Sequence, residues 1–175
     1  LRSMEIGLTG LNLPSVVGLD DAKTLQQSQT IITESLKALS PDRILRIAHA
    51  IRLDVSLSTI HEITHYDFWY LEQLKILVDM EKELQQTGFP TTYDALFRYK
   101  KAGFSDMRIA ELTGITESDV RQQRHRLNCR PVYKKVDTCA AEFDVQSSYL
   151  YSSYEGNPFQ DTECESNPSD RKKVI

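Results

Sequence analysis

The chain has 175 residues, 40% of them hydrophobic and 26% charged, with a formal net charge of −4. That is ordinary globular composition, and the length suffices for a domain with a real core. The acidic balance argues against a dedicated nucleic-acid binder, and the apolar runs are too short to span a bilayer, so the expected partners include no nucleic acid and no membrane. Cys129, Cys139 and Cys164 are odd in number and lack metal spacing, a usage that fits reduced thiols in a cytoplasmic setting. No basic-then-apolar leader opens the sequence, which also points away from secretion.

In chain order, "DDAKTLQQSQTIITESLKAL" predicts a first helix from Asp20 to Leu39. Ser40-Pro41-Asp42 reads as an N-cap, a proline at the first helical position and an acidic first turn. Ile44, Ile47, Ala48 and Ile51 follow at helical spacing. Ser56 opens a short helical unit carrying Leu57, Ile60 and Ile63. Thr64 and Asp67 form an acidic analogue of a capping box ahead of the longest helix, Tyr66 to Gln86, which Gly88 and Pro90 end. Thr92, Ser105 and Thr116 with Asp119 cap three more helices; the first two stop at Gly103 and Gly114, the third near Leu127. From Pro131 the pattern changes to β-branched residues and tyrosines, which predicts extended chain, and "EGNPFQDTECESNPSD" reads as a polar linker. The fold class is therefore mainly α, an irregular multi-helix domain with an extended, Tyr-rich C-terminal connecting segment.

Two motifs invite chemistry. "HEITH", His61 to His65, has the spacing of a helical zinc hydrolase, which needs both histidines on one helix face, a glutamate to polarise the zinc-bound water, and a third ligand such as Glu81 or Glu83. The Thr64 cap undercuts it by placing the two histidines on different helices, so no catalytic or metal residue is assigned. "FSDMRIAELTGITESDVRQQRHRLN" has the small residue, turn glycine and apolar anchor of a helix-turn-helix, with Ala110, Gly114 and Val120 in those places. Arg121, Arg124 and Arg126 would meet phosphates, but Glu117 and Asp119 stand at the end that would enter the groove. A DNA-binding module is the alternative reading. No glycine-rich loop cradles a phosphate, so no cofactor-binding residue is assigned.

The longest helix carries two apolar stripes. Leu71, Leu74 and Val78 form one; Trp69, Ile76 and Met80 form another on nearly the opposite side. The second stripe is either core or a contact with another domain or subunit. Trp69, Ile76 and Met80 are the candidate interface, with Arg121 and Arg124 as a competing polar surface. Small residues at Cys139, Ala140 and Ala141 predict close packing with Cys139 buried.

Several segments carry a resemblance. "PVYKKVDTCAAEF" (131–143), followed by "YLYSSYE" (149–155), resembles the connection segment of the carbamoyl-phosphate synthase large subunit. "FSDMRIAELTG" and "ITHYDFWYLEQL" are similar to helical segments of that region. "LRSMEIG" and "RKKVI" resemble the exit from its first ATP-grasp half and the strand entering its second. The resemblance covers essentially the whole chain, and with the ragged ends it implies a piece of a longer polypeptide. It implies residues 1–18 as the exit from the preceding half, 19–154 as a helical oligomerisation and connection domain, and 155–175 as linker and start of the next half. The parent it implies is a cytoplasmic ligase, or an organellar one in a eukaryote, that makes carbamoyl phosphate from bicarbonate, ATP and glutamine-derived ammonia for arginine or pyrimidine biosynthesis. Its ATP, with Mg or Mn, would bind in the flanking halves, leaving this segment without a cofactor or catalysis of its own. The implied partners are other copies of the large subunit, the flanking ATP-grasp halves and a small glutaminase subunit. Lys134, Lys135, Asp137 and Cys139 become candidates for an interdomain connection.

Overall fold

A computed structural model describes residues 9–13, 15–140, 142–143, 147–156 and 163–170. Within them the fold is mainly α, with seven helices and a two-stranded sheet. The expectations that fall on "LRSMEIG", Ala141 and "RKKVI" lie outside the described residues. The chain divides into two compact units. One holds the described residues up to Pro90 together with Ala102–Val120; the other holds Thr91–Lys101 and the described residues from Arg121 onward.

The first unit is built on α1 (Leu25–Ser35), α2 (Arg43–Arg52), α3 (Leu57–Thr64), α4 (Phe68–Thr87) and α6 (Asp106–Thr113). Helix α4 is its axis: α2, α3 and α6 all pack on it, and α1 packs on α2. Ile47, Ala48 and Ile51 of α2, Ile60 of α3 and Leu71, Leu74 and Val78 of α4 are buried together with Ile32 and Leu36. These are the positions that helical periodicity places on one face. Each such large aliphatic side chain contributes roughly 1.5–3 kcal/mol of burial.

Caps set the helix limits, and three differ from the sequence expectation. Helix α1 starts at Leu25, because Thr24 accepts the Gln27 N–H at 3.2 Å while Asp20 and Asp21 lie in the preceding turns. Helix α2 starts two residues later than Pro41. A turn with the Arg43 N–H on the Ser40 carbonyl (3.1 Å) precedes it, and Asp42 takes the cap position while receiving the Arg46 guanidinium at 3.1 Å. The expected Thr64–Asp67 box does not form. Thr64 ends α3 and donates its hydroxyl back to the Ile60 carbonyl at 2.7 Å; His65 turns left-handed (φ 57°), and Asp67 alone caps α4 through the Trp69 N–H at 2.8 Å. Ser56 and Ser105 cap α3 and α6 as expected, at 3.1 and 3.0 Å. Thr116 and Asp119 exchange hydrogen bonds in a reciprocal box at the start of α7 (Glu117–Arg126).

The second unit contains α5 (Tyr93–Lys101) and an antiparallel ribbon of β1 (Val132–Lys135) and β2 (Leu150–Ser153). Val132 pairs with Ser153 and Lys135 with Leu150. Tyr93 stacks on Phe97, and Phe97 meets Tyr154 edge-on at 6.3 Å between centroids. The Lys100 ammonium lies 5.5 Å from the centre of the Tyr154 ring, a cation–π contact that compensates its burial.

Candidate assembly surface

The zinc reading fails on geometry. His61 lies in the last turn of α3, whereas His65 is the left-handed residue after it, so the two rings do not share a helix face. The His61 ring pairs through Nδ1 with the Tyr66 carbonyl at 2.7 Å and stacks on Phe68 at 4.4 Å. Among the described residues no three His, Cys, Asp or Glu side chains converge as a metal set. Glu81, the candidate third ligand, uses both carboxylate oxygens on arginines instead. Its Oε2 accepts from Arg52 at 2.7 and 3.1 Å, and its Oε1 accepts from Arg108 at 2.8 and 2.9 Å.

That network is the best-built polar feature of the first unit, and sequence reasoning missed it. Glu81 and Arg108 are 4% and 6% exposed. Arg108 reaches on to Glu111 at 3.2 Å, Arg52 donates to the Leu11 carbonyl at 2.9 Å, and the Thr9 hydroxyl donates to Glu111. Two arginines and two glutamates therefore balance in charge while tying residues 9–11 to α2, α4 and α6. Gly10 is required there: its φ is 58°, and a Cβ on it would sit 2.7 Å from Arg108 Nε. A cleft of about 670 Å³ opens beside the network, lined also by His49, Lys82 and Gln85. Burial and the nearby Arg52 charge push the His49 imidazole below its ordinary pKa. The only signal in the sequence was charge at Arg52, Glu81 and Arg108 on helix faces that otherwise turn to the core.

The second stripe of α4 is split. Trp69 and Ile76 are 59% and 51% exposed, but Met80, on the same face by helical rotation, is 7% exposed. Met80 is therefore core within this chain. Phe68 and Tyr70 extend the exposed part, with Tyr70 edge-on to Trp69 at 4.9 Å. The open surface is an aromatic group at the start of α4, continued one face along by Ile76.

Of the competing polar surface, Arg121 is exposed and Arg124 half-buried. Arg124 lies in a helix-ending turn: its carbonyl accepts the Cys129 N–H at 2.9 Å, and its guanidinium donates to the Cys129 carbonyl at 3.5 Å. The turn between α6 and α7 has the expected parts, a left-handed Gly114, the Ile115 N–H on the Ala110 carbonyl at 3.2 Å, and a buried Val120. Glu117 and Asp119 occupy the first turn of α7, where a major-groove reader would meet phosphates.

The connecting residues find local partners. The Lys134 ammonium lies 3.4 Å from Glu165, and the Lys135 N–H donates to the same carboxylate at 2.6 Å. Asp137 accepts the Cys139 N–H at 2.8 Å. Cys139 is half-buried, contrary to the expectation of burial, because that turn and the left-handed Ala140 (φ 51°) hold it near the surface. Cys129 is the fully buried thiol.

Comparison with known proteins gives this surface its context. The family described as carbamoyl-phosphate synthetase large chain, oligomerisation domain, matches residues 1–128. The carbamoyl phosphate synthase large chain of Rhizobium meliloti is 41% identical, and that of Vibrio vulnificus 40%, across all of this chain. The Neisseria meningitidis serogroup A large chain is 43% identical, also across all of it. The chain spans about 15% of the length of each of these relatives. None of them supports the DNA-binding alternative. With a match over most of its residues and an identity near 40% from end to end, the chain belongs to the family of carbamoyl-phosphate synthetase large-chain oligomerisation domains.

Proposed function

We propose that this chain is the assembly and connecting domain of a carbamoyl phosphate synthase large chain, and that copies associate through the start of α4. The observation that carries this reading is the exposed aromatic group of Phe68, Trp69 and Tyr70 with Ile76, in a family described by oligomerisation. Large rigid aromatics half open to water are the usual anchors of a protein interface. Met80, buried within the chain, is not part of this surface, and Arg121 and Arg124 form the weaker competing candidate.

In the whole protein this domain would carry no chemical step. Carbamoyl phosphate would be made from bicarbonate, ATP and glutamine-derived ammonia elsewhere, with ATP and Mg or Mn in flanking ATP-grasp halves and ammonia from a small glutaminase subunit. We place residues 1–18 and 155–175 with those halves and 19–154 in the connecting domain. The ribbon with Lys134 and Lys135, together with the turn after β1 that holds Asp137 and Cys139, serves as the link towards the next half. A cytoplasmic or organellar setting follows from the same parent, as does a place in arginine or pyrimidine biosynthesis.

The test is molar mass by light scattering over a dilution series. Ile76→Glu is expected to shift association to higher concentration without lowering the melting temperature, and Arg124→Glu to leave association unchanged. Undiminished association of folded Ile76→Glu removes the α4 surface. A wild-type chain that stays monomeric at high concentration removes self-association of this segment.

A further inference from the structure

Residues Thr9–Leu13 belong to no helix or strand, yet they lie closed against the first unit. They make a turn, with the Asn12 N–H on the Thr9 carbonyl at 3.3 Å and the Asn12 side-chain amide on the Thr9 hydroxyl at 3.5 Å. Leu11, Arg52 and Glu111 hold that turn to the helices. The Leu11 side chain is fully buried in the core, its carbonyl accepts from Arg52 at 2.9 Å, and the Thr9 hydroxyl donates to Glu111.

The ion pairs beneath do not need the turn. Arg52, Glu81, Arg108 and Glu111 stand on α2, α4 and α6 and bond to one another, two positive charges against two negative. If the turn lifts, those bonds stay closed and no charge is left alone in the interior. The turn withdraws a carbonyl from Arg52 and a hydroxyl from Glu111. Both side chains line the cleft that Asn12 and Leu13 border, so water replaces the lost partners there. The lasting cost of lifting is the exposure of Leu11, a small part of the apolar surface that unfolding of the helices would uncover.

Gly10 governs how closely the turn seats. Its φ of 58° is left-handed, and a Cβ there would meet Arg108 Nε at 2.7 Å and Cδ at 3.0 Å. Arg108 is pinned by Glu81 and Glu111 and cannot give way without breaking those bonds.

We infer that Thr9–Asn12 form a strap with two states, latched in this structure and opening as a unit of its own while α2, α4 and α6 stay folded. The latch is the Leu11 side chain together with the Arg52 and Glu111 contacts. The consequence is mechanical. While the strap is latched, the chain ahead of Thr9 is tied to three helices through Arg52 and Glu111; once it opens, only the backbone running on from Leu13 makes that connection. The strap is a switchable joint between the helical unit and the residues that precede it. This joint is independent of association through α4.

Native-state hydrogen exchange of the 175-residue chain in increasing, sub-denaturing urea tests it. The amides of residues 10–13 are expected to exchange about ten-fold or more faster than those of Leu71–Val78 in α4, with a smaller urea dependence, and about ten-fold or more slower than in a free peptide. Gly10→Ala should speed the strap by about ten-fold and leave α4 unchanged, because the added Cβ blocks seating without touching the helices. Thr9→Val removes only the hydroxyl and should speed the strap by about three-fold. A wild-type strap with the rate and urea slope of α4 opens only on global unfolding and overturns the inference. A strap as fast as the free peptide is never latched and overturns it equally. Unchanged strap exchange in both variants removes the latch, and an equal rise in α4 makes the strap part of the core. Should Gly10→Ala fail to fold, Thr9→Val decides by whether its change stays within residues 10–13 or spreads to α4.

Discussion

The two ends of α4 invert the usual placement of side chains. At its start, Phe68, Trp69, Tyr70 and, two turns on, Ile76 are open to solvent; near its end, a carboxylate, Glu81, is buried between two guanidinium groups. Both arrangements oppose solvation taken alone. The buried charge persists because its partners come with it: four charge-assisted hydrogen bonds to Arg52 and Arg108 replace the water it loses. The exposed aromatics keep about half of their surface in water despite the His61 ring on Phe68 and the edge-on contact of Tyr70 with Trp69. The same helix thus separates a region completed by its own fold from one whose completion we assign to another copy.

The sharpest way to break this contrast is at Glu81. Glu81→Gln would leave the buried Arg108 and the half-buried Arg52 guanidinium groups facing a neutral amide, and a loss of about 3–5 kcal/mol in denaturant unfolding is expected. A loss below 1 kcal/mol would mean the network is solvated enough to be ordinary surface. Met80→Ala tests the border between the two regions. As a core methionine it should cost roughly 2–5 kcal/mol of folding stability at every protein concentration, with no separate effect on association.

Trp69→Ala probes the open end. Folding stability should move by no more than about 0.5 kcal/mol, as for other exposed positions, while association weakens by about 2 kcal/mol. Sedimentation of the variant beside a thermal melt separates the two, and a melt that falls as far as that of Met80→Ala would place Trp69 in the core. The smallest effect belongs to His49. Its folded-state pKa is depressed by burial and by Arg52, so the folded state resists protonation. The sign is therefore a stability contribution present above the ordinary histidine value of about 6.5, declining as pH falls below that value to the depressed folded pKa. Unfolding midpoints of wild type and His49→Gln between pH 7.5 and 5 should diverge only at the acid end. Parallel curves would show that His49 is as well hydrated folded as unfolded.

Much of the helical unit was legible in the residues. Ser56, Ser105 and the Thr116–Asp119 pair cap where they were expected to, since a cap is a local bond within three residues. The Ile47–Ala48–Ile51 face and the Leu71–Leu74–Val78 stripe point inward because rotation along a helix is a property of the backbone. Even the zinc reading was undercut locally, although by the wrong residue: Thr64 was expected to start the next helix, whereas it ends α3 and the left-handed turn at His65 takes the second histidine off the helix.

What only the tertiary structure decided is what lies over each face. Helical rotation places Trp69, Ile76 and Met80 together, but whether an apolar stripe meets water or core depends on what covers that length of helix, and the answer changes between Ile76 and Met80. The Arg52–Glu81–Arg108 network is held by bonds between residues 29 and 27 positions apart, so no local spacing announces it. The cover on the β1 edge is likewise invisible in "PVYKK". Any extended strand has outward backbone groups, and only the tertiary structure reveals that those of Tyr133 and Lys135 are met by Cys164 and Glu165. Caps and periodicity are short-range and follow from the order of residues; burial, ion pairing and edge satisfaction depend on what the rest of the chain brings alongside.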